Sequence, residues 1–238
     1  MALRGKTVLV TGATGGIGEA FARAFAAEGC NIVFNGLGNP VDVERLRAQI
    51  ADNGTDVVYH PSDVGKPDEV EGMIGAALKR FGAIDILINN AGIAHASATV
   101  DELPIEAWRE VIDTNLTGLF LVTRAMLPLM HPGGTIVNNL SIAAKTVFPA
   151  TSAYNASKHG ALGFTDSLRE DLRPRGIRVI GLIPGATDTD IWNQFWPDAP
   201  RSKMMSPSTI AQAVVSALKL PDNATVSQLE ITPTGGAL

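Results

Sequence analysis

The sequence predicts an α/β fold, one doubly wound parallel sheet of about seven strands with helices on both faces. Three observations predict it. A short apolar run over 6–10 passes straight into a glycine-rich stretch and then into a helical pattern over 19–28. Short apolar runs and amphipathic stretches then alternate to the end of the chain, an order compatible with parallel strands joined by right-handed crossovers. Finally, 238 residues with 45% hydrophobic and 18% charged residues can bury one large core, and exclude a disordered chain. No internal repeat or linker divides the sequence, so 1–238 is read as a single domain.

Taken in order, 6–10 is a buried strand, and Thr11-Gly12-Ala13-Thr14-Gly15-Gly16-Ile17-Gly18 follows it at once. Glycines here allow a tight turn, close approach of the backbone to a pyrophosphate, and close packing of helix on strand. The free N–H groups that open the helix then face the phosphates. Alone the cluster reads equally well as a turn; between a strand and a helix it is a Rossmann-type dinucleotide signal. A second strand, 31–34, ends at Asn35-Gly36-Leu37-Gly38-Asn39. There an acidic residue would bind the ribose hydroxyls of NAD and a basic one the phosphate of NADP. Neither charge is present, and Asp42 belongs to the helix over 41–53. NAD is preferred because a 2′-phosphate has no evident partner, and NADP is the alternative.

The strand over 56–60 is followed by Asp63-Val64, where a carboxylate accepts the adenine amino hydrogens or simply caps a turn. Pro67 starts the helix over 67–80. The strand over 84–88 ends in Asn89-Asn90-Ala91-Gly92, a place for an adenosine or a structural turn. A long helix is expected over 104–130. Asn115 inside it is unfavourable because its amide competes for backbone hydrogen bonds, so it bends the helix or holds a water. The strand over 134–140 puts Ser141 at the sheet edge where ligands bind, or makes it an ordinary turn hydroxyl. Helix 152–173 is closed by Pro174 and Gly176, and strand 178–183 ends in Pro184-Gly185-Ala186-Thr187-Asp188-Thr189. The stretch 188–206 is irregular and holds Trp192, Phe195, Trp196, Met204 and Met205, either as loop packing or as a substrate lid. A helix over 207–220, a last strand over 225–232 and a mobile tail from Gly235 to Leu238 complete the chain.

Within helix 152–173, Tyr154 and Lys158 stand one turn apart on one face. A phenol titrates near pH 10, and a neighbouring ammonium favours the phenolate and lowers that value, so the pair can act as an acid/base. The spacing also describes a core tyrosine and a surface lysine that merely share a helix. More motifs decide between them.

TGATGGIG at 11–18, NNAG at 89–92, Asn115, Ser141 thirteen residues before Tyr154, YNASK at 154–158 and PGATDT at 184–189 occur in one order over nearly the whole chain. In these the sequence resembles the classical short-chain dehydrogenase/reductase family. One departure is the run Asn138-Asn139-Leu140-Ser141, where the family more often shows two serines. The resemblance implies a catalytic tetrad of Asn115, Ser141, Tyr154 and Lys158 and hydride transfer between a nicotinamide cofactor and a secondary alcohol or ketone. Ser141 then binds the substrate carbonyl, Tyr154 donates the proton, Lys158 lowers the Tyr pKa and holds the ribose, and Asn115 fixes a relay water. It further implies cofactor contacts at Gly12, Thr14, Gly16, Ile17, Gly18, Asn35, Asp63, Val64, Asn90, Ala91 and Gly92, at Tyr154 and Lys158, and at Pro184, Gly185, Thr187 and Thr189. The Asn35-Gly36-Leu37-Gly38 loop looks like that of bacterial 3-hydroxybutyrate dehydrogenases, which use NAD. Members commonly form dimers and tetramers through the helices at 104–130 and 152–173, so a homotetramer or dimer is expected.

Other classes are excluded or set aside. A net charge of −5 without a Lys/Arg cluster gives no footprint for nucleic acid. A single cysteine, Cys30, next to an apolar run suits a reducing compartment, and no signal-peptide or spanning segment is visible, so a cytoplasmic protein without a membrane partner is expected. His60, His95, His131 and His159 lack metal-ligand spacing, and no metal is assigned. Candidate pocket walls are His95, Ile142, Phe148, Trp192 and Trp196, although His95, lacking any positioned partner, reads more readily as a loop residue without a catalytic role. Rival readings are a non-catalytic dinucleotide sensor or scaffold, and an NADPH-dependent biosynthetic carbonyl reductase.

Overall fold

The computed structural model describes residues 2–221 and 223–236; Ala237 and Leu238 of the expected mobile tail lie outside them, while Gly235 and Gly236 form a turn closed by Gly236 N–H on the Pro233 carbonyl. Among the described residues there are seven strands: β1 Thr7–Val10, β2 Asn31–Asn35, β3 Val57–His60, β4 Ile86–Asn89, β5 Thr135–Asn139, β6 Arg178–Pro184 and β7 Gln228–Ile231. All pair in parallel, in the order β3-β2-β1-β4-β5-β6-β7. The order reverses between β1 and β4. That switch point opens a crevice at the C-terminal strand ends, where such sheets bind ligands.

Alternation along the strands sorts the core into two layers. Val8 and Val10 of β1 and Ile86 and Ile88 of β4 face one side, where α1 (Gly16–Ala27), α2 (Pro40–Ala51) and α8 (Pro207–Leu218) bring Phe21, Phe25, Leu46, Ile50, Val214 and Leu218. Leu9 and Leu87 face the other, against Val70, Met73 and Ile74 of α3 (Pro67–Phe81), Val122 and Met126 of α5 (Gly118–Met126) and Leu168 and Leu172 of α6 (Ser152–Leu172). Cys30 is buried in the first layer, and burial pushes its thiol up to about 12, so it is an inert packing group.

Two stretches differ from the sequence expectation. The segment 104–130 is two helices, α4 (Ile105–Ile112) and α5, joined by a wide π turn at Asp113–Thr117 and finished by a tight turn at Leu127–Leu129. Asn115 supplies the cause of the wide turn: its Nδ2 donates to the Ile93 carbonyl at 2.9 Å and its Oδ1 accepts from the Ile93 N–H at 2.8 Å. These bonds draw the turn toward the β4 loop and open the ladder there. The irregular stretch 188–206 contains a single helical turn, α7 (Trp192–Phe195), and another at Arg201–Lys203. Among the described residues no helix is long and apolar enough to cross a membrane, and no group of three metal-ligating side chains is found.

Candidate active site

The crevice floor is made of backbone held by amides. Gly12 has φ +62°, and a Cβ there would lie 2.7 Å from the Ala91 Cα, so only glycine lets the first loop seat against the fourth. Its N–H donates to Asn35 Oδ1 at 2.9 Å, and Asn35 Nδ2 donates to the Ser62 carbonyl at 2.9 Å and the Ser62 hydroxyl at 3.0 Å. Thr11 Oγ1 accepts from the backbone N–H groups of Asn90 at 2.9 Å and Ala91 at 3.0 Å. Asn90 Nδ2 answers by donating to the carbonyls of Thr11 and Gly12, both at 3.0 Å. Asn139 Nδ2 then donates to Asn90 Oδ1 at 2.8 Å. The loops after β1, β2, β3, β4 and β5 are thereby joined in one network.

At its other end this network meets the acid/base pair. Lys158 Nζ donates to the Asn139 carbonyl at 3.1 Å and lies 5.6 Å from the centre of the Tyr154 ring. The Ser141 side chain is near enough to the Tyr154 hydroxyl to lower its pKa, and Ser141 Oγ accepts from the Ala143 N–H at 3.1 Å, which caps the turn Ile142–Ala144 and fixes the hydroxyl. Burial lowers Lys158 to about 8 because the ammonium loses its water. Tyr154 moves the opposite way to the expectation that Lys158 depresses it. Desolvation of the phenolate raises its pKa and outweighs the nearby Ser141 side chain, which lowers it.

One cleft of about 820 Å³ runs from the glycine loop to this pair. Gly12, Thr14, Gly16 and Ile17 line its first end, with Asn35, Asp63 and Val64 beside them and Asn90, Ala91 and Gly92 along the floor. Ser141, Tyr154 and Lys158 line the far end, while Pro184, Gly185, Thr187 and Thr189 close one side and Ile142, Phe148, Trp192 and Trp196 wall the mouth. Asn35 faces the cleft with its amide already occupied at both ends. Asp63 does double duty, since its Oδ1 also accepts from the Gly65 N–H at 2.9 Å as a turn residue.

Three expected residues lie elsewhere. Gly18 is behind the loop, where a Cβ would overlap the Gly12 carbonyl oxygen and the Asn90 amide, so it is a packing glycine. Asn115 sits behind Gly92: a Cβ on Gly92 would be 3.4 Å from Asn115 Oδ1 and 3.6 Å from Lys158 Nζ. It reaches the pair through Ser157, whose hydroxyl accepts from its Nδ2 at 3.1 Å. His95 does not wall the pocket. It is 6% exposed, with Nδ1 2.8 Å from the Ala96 carbonyl oxygen, because the chain after Gly92 turns its side chain inward.

The mouth is held by aromatic rings and a few hydrogen bonds. Trp192 Nε1 donates to the Thr187 carbonyl at 2.8 Å, the Ala94 N–H donates to Gln194 Oε1 at 3.1 Å, and Ser97 Oγ donates to the Phe195 carbonyl at 2.8 Å. Phe195 also lies 6.1 Å from Tyr154 and 4.9 Å from Trp192, ring centre to ring centre. Sequence reasoning placed no role on Thr11, Ser62, Asn139 or Gln194, whose work depends on partners far along the chain. Phe195 carried a visible signal as one of three aromatics in five residues.

The shape suits a dinucleotide. No side chain caps α1, so its first N–H groups are free for an anion, and Gly16 leaves space that a Cβ would close to within 3.1 Å of the Thr189 methyl. Residues 6–200 match the family model described as short chain dehydrogenase. The chain is 35% identical to a D-beta-hydroxybutyrate dehydrogenase of Rhizobium meliloti (strain 1021), over 88% of this chain and 82% of that one. Among solved structures, a short chain dehydrogenase from Burkholderia cenocepacia J2315 in complex with NADP superimposes with a TM-score of 0.90 at 29% identity, covering 99% of both chains. A 3-ketoacyl-(acyl-carrier-protein) reductase from Brucella melitensis complexed with NADH gives a TM-score of 0.86 at 29% identity, covering 98% of both.

Proposed function

Because the chain belongs to the short-chain dehydrogenase/reductase family, and is thus an NAD(P)-dependent oxidoreductase acting on an alcohol or ketone, we propose that Tyr154 is its general acid/base. The observation that carries this reading is that Ser141, Tyr154 and Lys158 line one end of a cleft whose other end is the glycine loop. Gly12, Thr14, Gly16 and Ile17 hold the phosphates, Asp63 and Val64 the adenine, Asn90, Ala91 and Gly92 the adenosine side, and Pro184, Gly185, Thr187 and Thr189 the carboxamide end. When bound, the dinucleotide supplies or accepts the hydride.

The chain's own residues manage the oxygen and the proton. In reduction, the Ser141 hydroxyl donates to the substrate carbonyl and Tyr154 passes its proton to the same oxygen as negative charge develops there. The raised Tyr154 pKa suits this direction, since the phenol keeps its proton at neutral pH. Lys158, charged below about 8, stabilises the phenolate left behind and holds the ribose hydroxyls. Asn115, through the π turn and Ser157, positions Lys158 and a relay water behind it. Residues 188–206 form the substrate lid, with Trp192 and Trp196 in its wall.

An uncharged loop after β2 favours NAD over NADP, and the likeness to a D-beta-hydroxybutyrate dehydrogenase makes a 3-hydroxy acid the reference against which other substrates are ranked. A cytoplasmic homo-oligomer is supported by the buried unpaired Cys30 and by exposed Ile105, Trp108 and Phe120 on α4 and α5. A sensor or scaffold would have no use for Ser141, Tyr154 and Lys158 converging on one point. Parallel titrations with NADH and NADPH, followed by tryptophan fluorescence, test the reading. Tighter NADH binding is expected; tighter NADPH binding reverses the cofactor preference, and binding of neither removes the enzyme reading.

A further inference from the structure

The substrate end of the cleft is distinctive in what it offers a ligand. Among the described lining residues Lys158 is the only lysine, arginine or histidine, and its ammonium is already bonded to the Asn139 carbonyl behind Tyr154. Besides Asp63 at the nucleotide end, two carboxylates, Glu110 and Asp190, line the same cleft. The cations nearest in sequence to the mouth are engaged elsewhere: Lys145 pairs with Glu230 at 2.8 Å, and Arg201 pairs with Asp188 at 2.9 Å. A substrate carboxylate carried to this end of the cleft would lose water without meeting a free cationic side chain among the described lining residues, which is costly.

The rings provide the opposite kind of site. From the Tyr154 ring an unbroken series runs outward through Phe195 and Trp192 to Trp196, with successive centres 6.1, 4.9 and 6.1 Å apart. The indole N–H of Trp192 is spent on the Thr187 carbonyl and the α7 turn is tied to Ala94 and Ser97, so the wall stands ready without reorganisation. Phe195, Trp192 and Trp196 line the same cleft as Ser141 and Tyr154, so the rings stand within the space open to the substituents of a carbonyl held there. Flat rings meet such faces in offset or edge contacts worth more than their area alone.

We infer that the substrate is an uncharged ketone or secondary alcohol bearing an aryl group beside the reacting carbon, and that this chain has left the short hydroxy-acid chemistry named for its Rhizobium relative. In the oxidoreductase reading on which this rests, the aryl ring stacks at Phe195 and Trp192 while Asp190 turns carboxylates away. Steady-state kcat/KM for acetophenone, 2-butanone and acetoacetate, with whichever of NADH or NADPH binds, tests it. Acetophenone is expected to exceed 2-butanone at least tenfold, with acetoacetate the poorest. Phe195→Ala should lower the acetophenone-to-2-butanone ratio at least tenfold, whereas a merely structural Phe195 would lower both alike and leave the ratio fixed. Asp190→Asn should raise the acetoacetate-to-acetophenone ratio. Acetoacetate as the best substrate, or an unchanged ratio in Phe195→Ala, overturns the aryl assignment and leaves the oxidoreductase reading standing. No turnover of any of the three by protein that binds dinucleotide also overturns the aryl assignment, whereas failure to bind either dinucleotide removes the oxidoreductase reading on which it rests.

Discussion

From Thr11 to Lys158 the floor of the cleft is a line of amides and backbone groups, each bonded to a residue on another strand end; from Asp188 to Ser206 the facing wall is rings on a strap held at a few points. The floor gets its shape from bonds with narrow geometry, so it tolerates few residue types. The wall gets its shape from apolar packing, which many side chains of similar size can supply. A floor that cannot vary and a wall that can is how one fold keeps its chemistry while its substrates change.

Chemistry should fail most completely at the floor. Tyr154→Phe removes the transferable proton and leaves the ring against Phe195. We expect kcat to fall by a factor of about 10³ or more, with dinucleotide affinity within a few-fold of wild type. A Phe variant with near-normal turnover would remove Tyr154 from the mechanism and with it the distinction between the two halves. The next largest effect is steric. Gly12→Val places a branched side chain at φ +62° against Ala91, at a cost of roughly 2–4 kcal/mol from strain and overpacking. Calorimetry should show a lower Tm and the nucleotide titration a loss of binding; a variant that still binds would mean the loop is not seated as described.

The pH dependence separates the halves a third way, because the titrating groups lie at the floor. Burial lowers Lys158, so its charge is present below about 8 and lost above it. Tyr154 shifts up and adds no limb in that range. Ketone reduction should be level from pH 6 to near 8 and then fall, by about tenfold per pH unit once the lysine is neutral. Lys158→Met should lower the rate throughout and abolish that limb. A limb that persists in the Met variant would have to come from another group.

How much of this was legible in the sequence follows the same division. The sheet, its helices and the glycine loop were readable because strand, loop and helix signals are local. Ser141, Tyr154 and Lys158 were readable because resemblance carries their order. Asn115 could be read as a helix disturbance, yet its partner Ile93, which turns the disturbance into a π turn, is set by the fold. His95 was misplaced for the same reason: a loop residue after Gly92 faces inward or outward depending on how the strap packs on 94–97, and no periodicity records that. The Tyr154 shift was read with the wrong sign because a lysine one turn away suggests a charge effect, whereas depth of burial is a property of the whole cleft.

Asn139 gives the finest test, since it belongs wholly to the floor and has no counterpart in the wall. Its carbonyl anchors Lys158 and its Nδ2 holds Asn90, while its own Oδ1 is buried without a protein hydrogen-bond partner. Asn139→Leu keeps the carbonyl, breaks the Asn90 bond and also removes the orphan acceptor, so losses and gains in stability nearly cancel, within about 1 kcal/mol. Positioning does not cancel. Asn90 is freed to move with the Thr11 and Gly12 carbonyls it grips, and dinucleotide affinity should weaken by roughly three- to tenfold at nearly unchanged Tm. Trp196→Ala is the matching change in the wall, at a residue 43% exposed, and should leave both Tm and dinucleotide affinity within error of wild type. If the two variants bind dinucleotide equally well, the amide line contributes nothing beyond packing and the two halves differ only in composition.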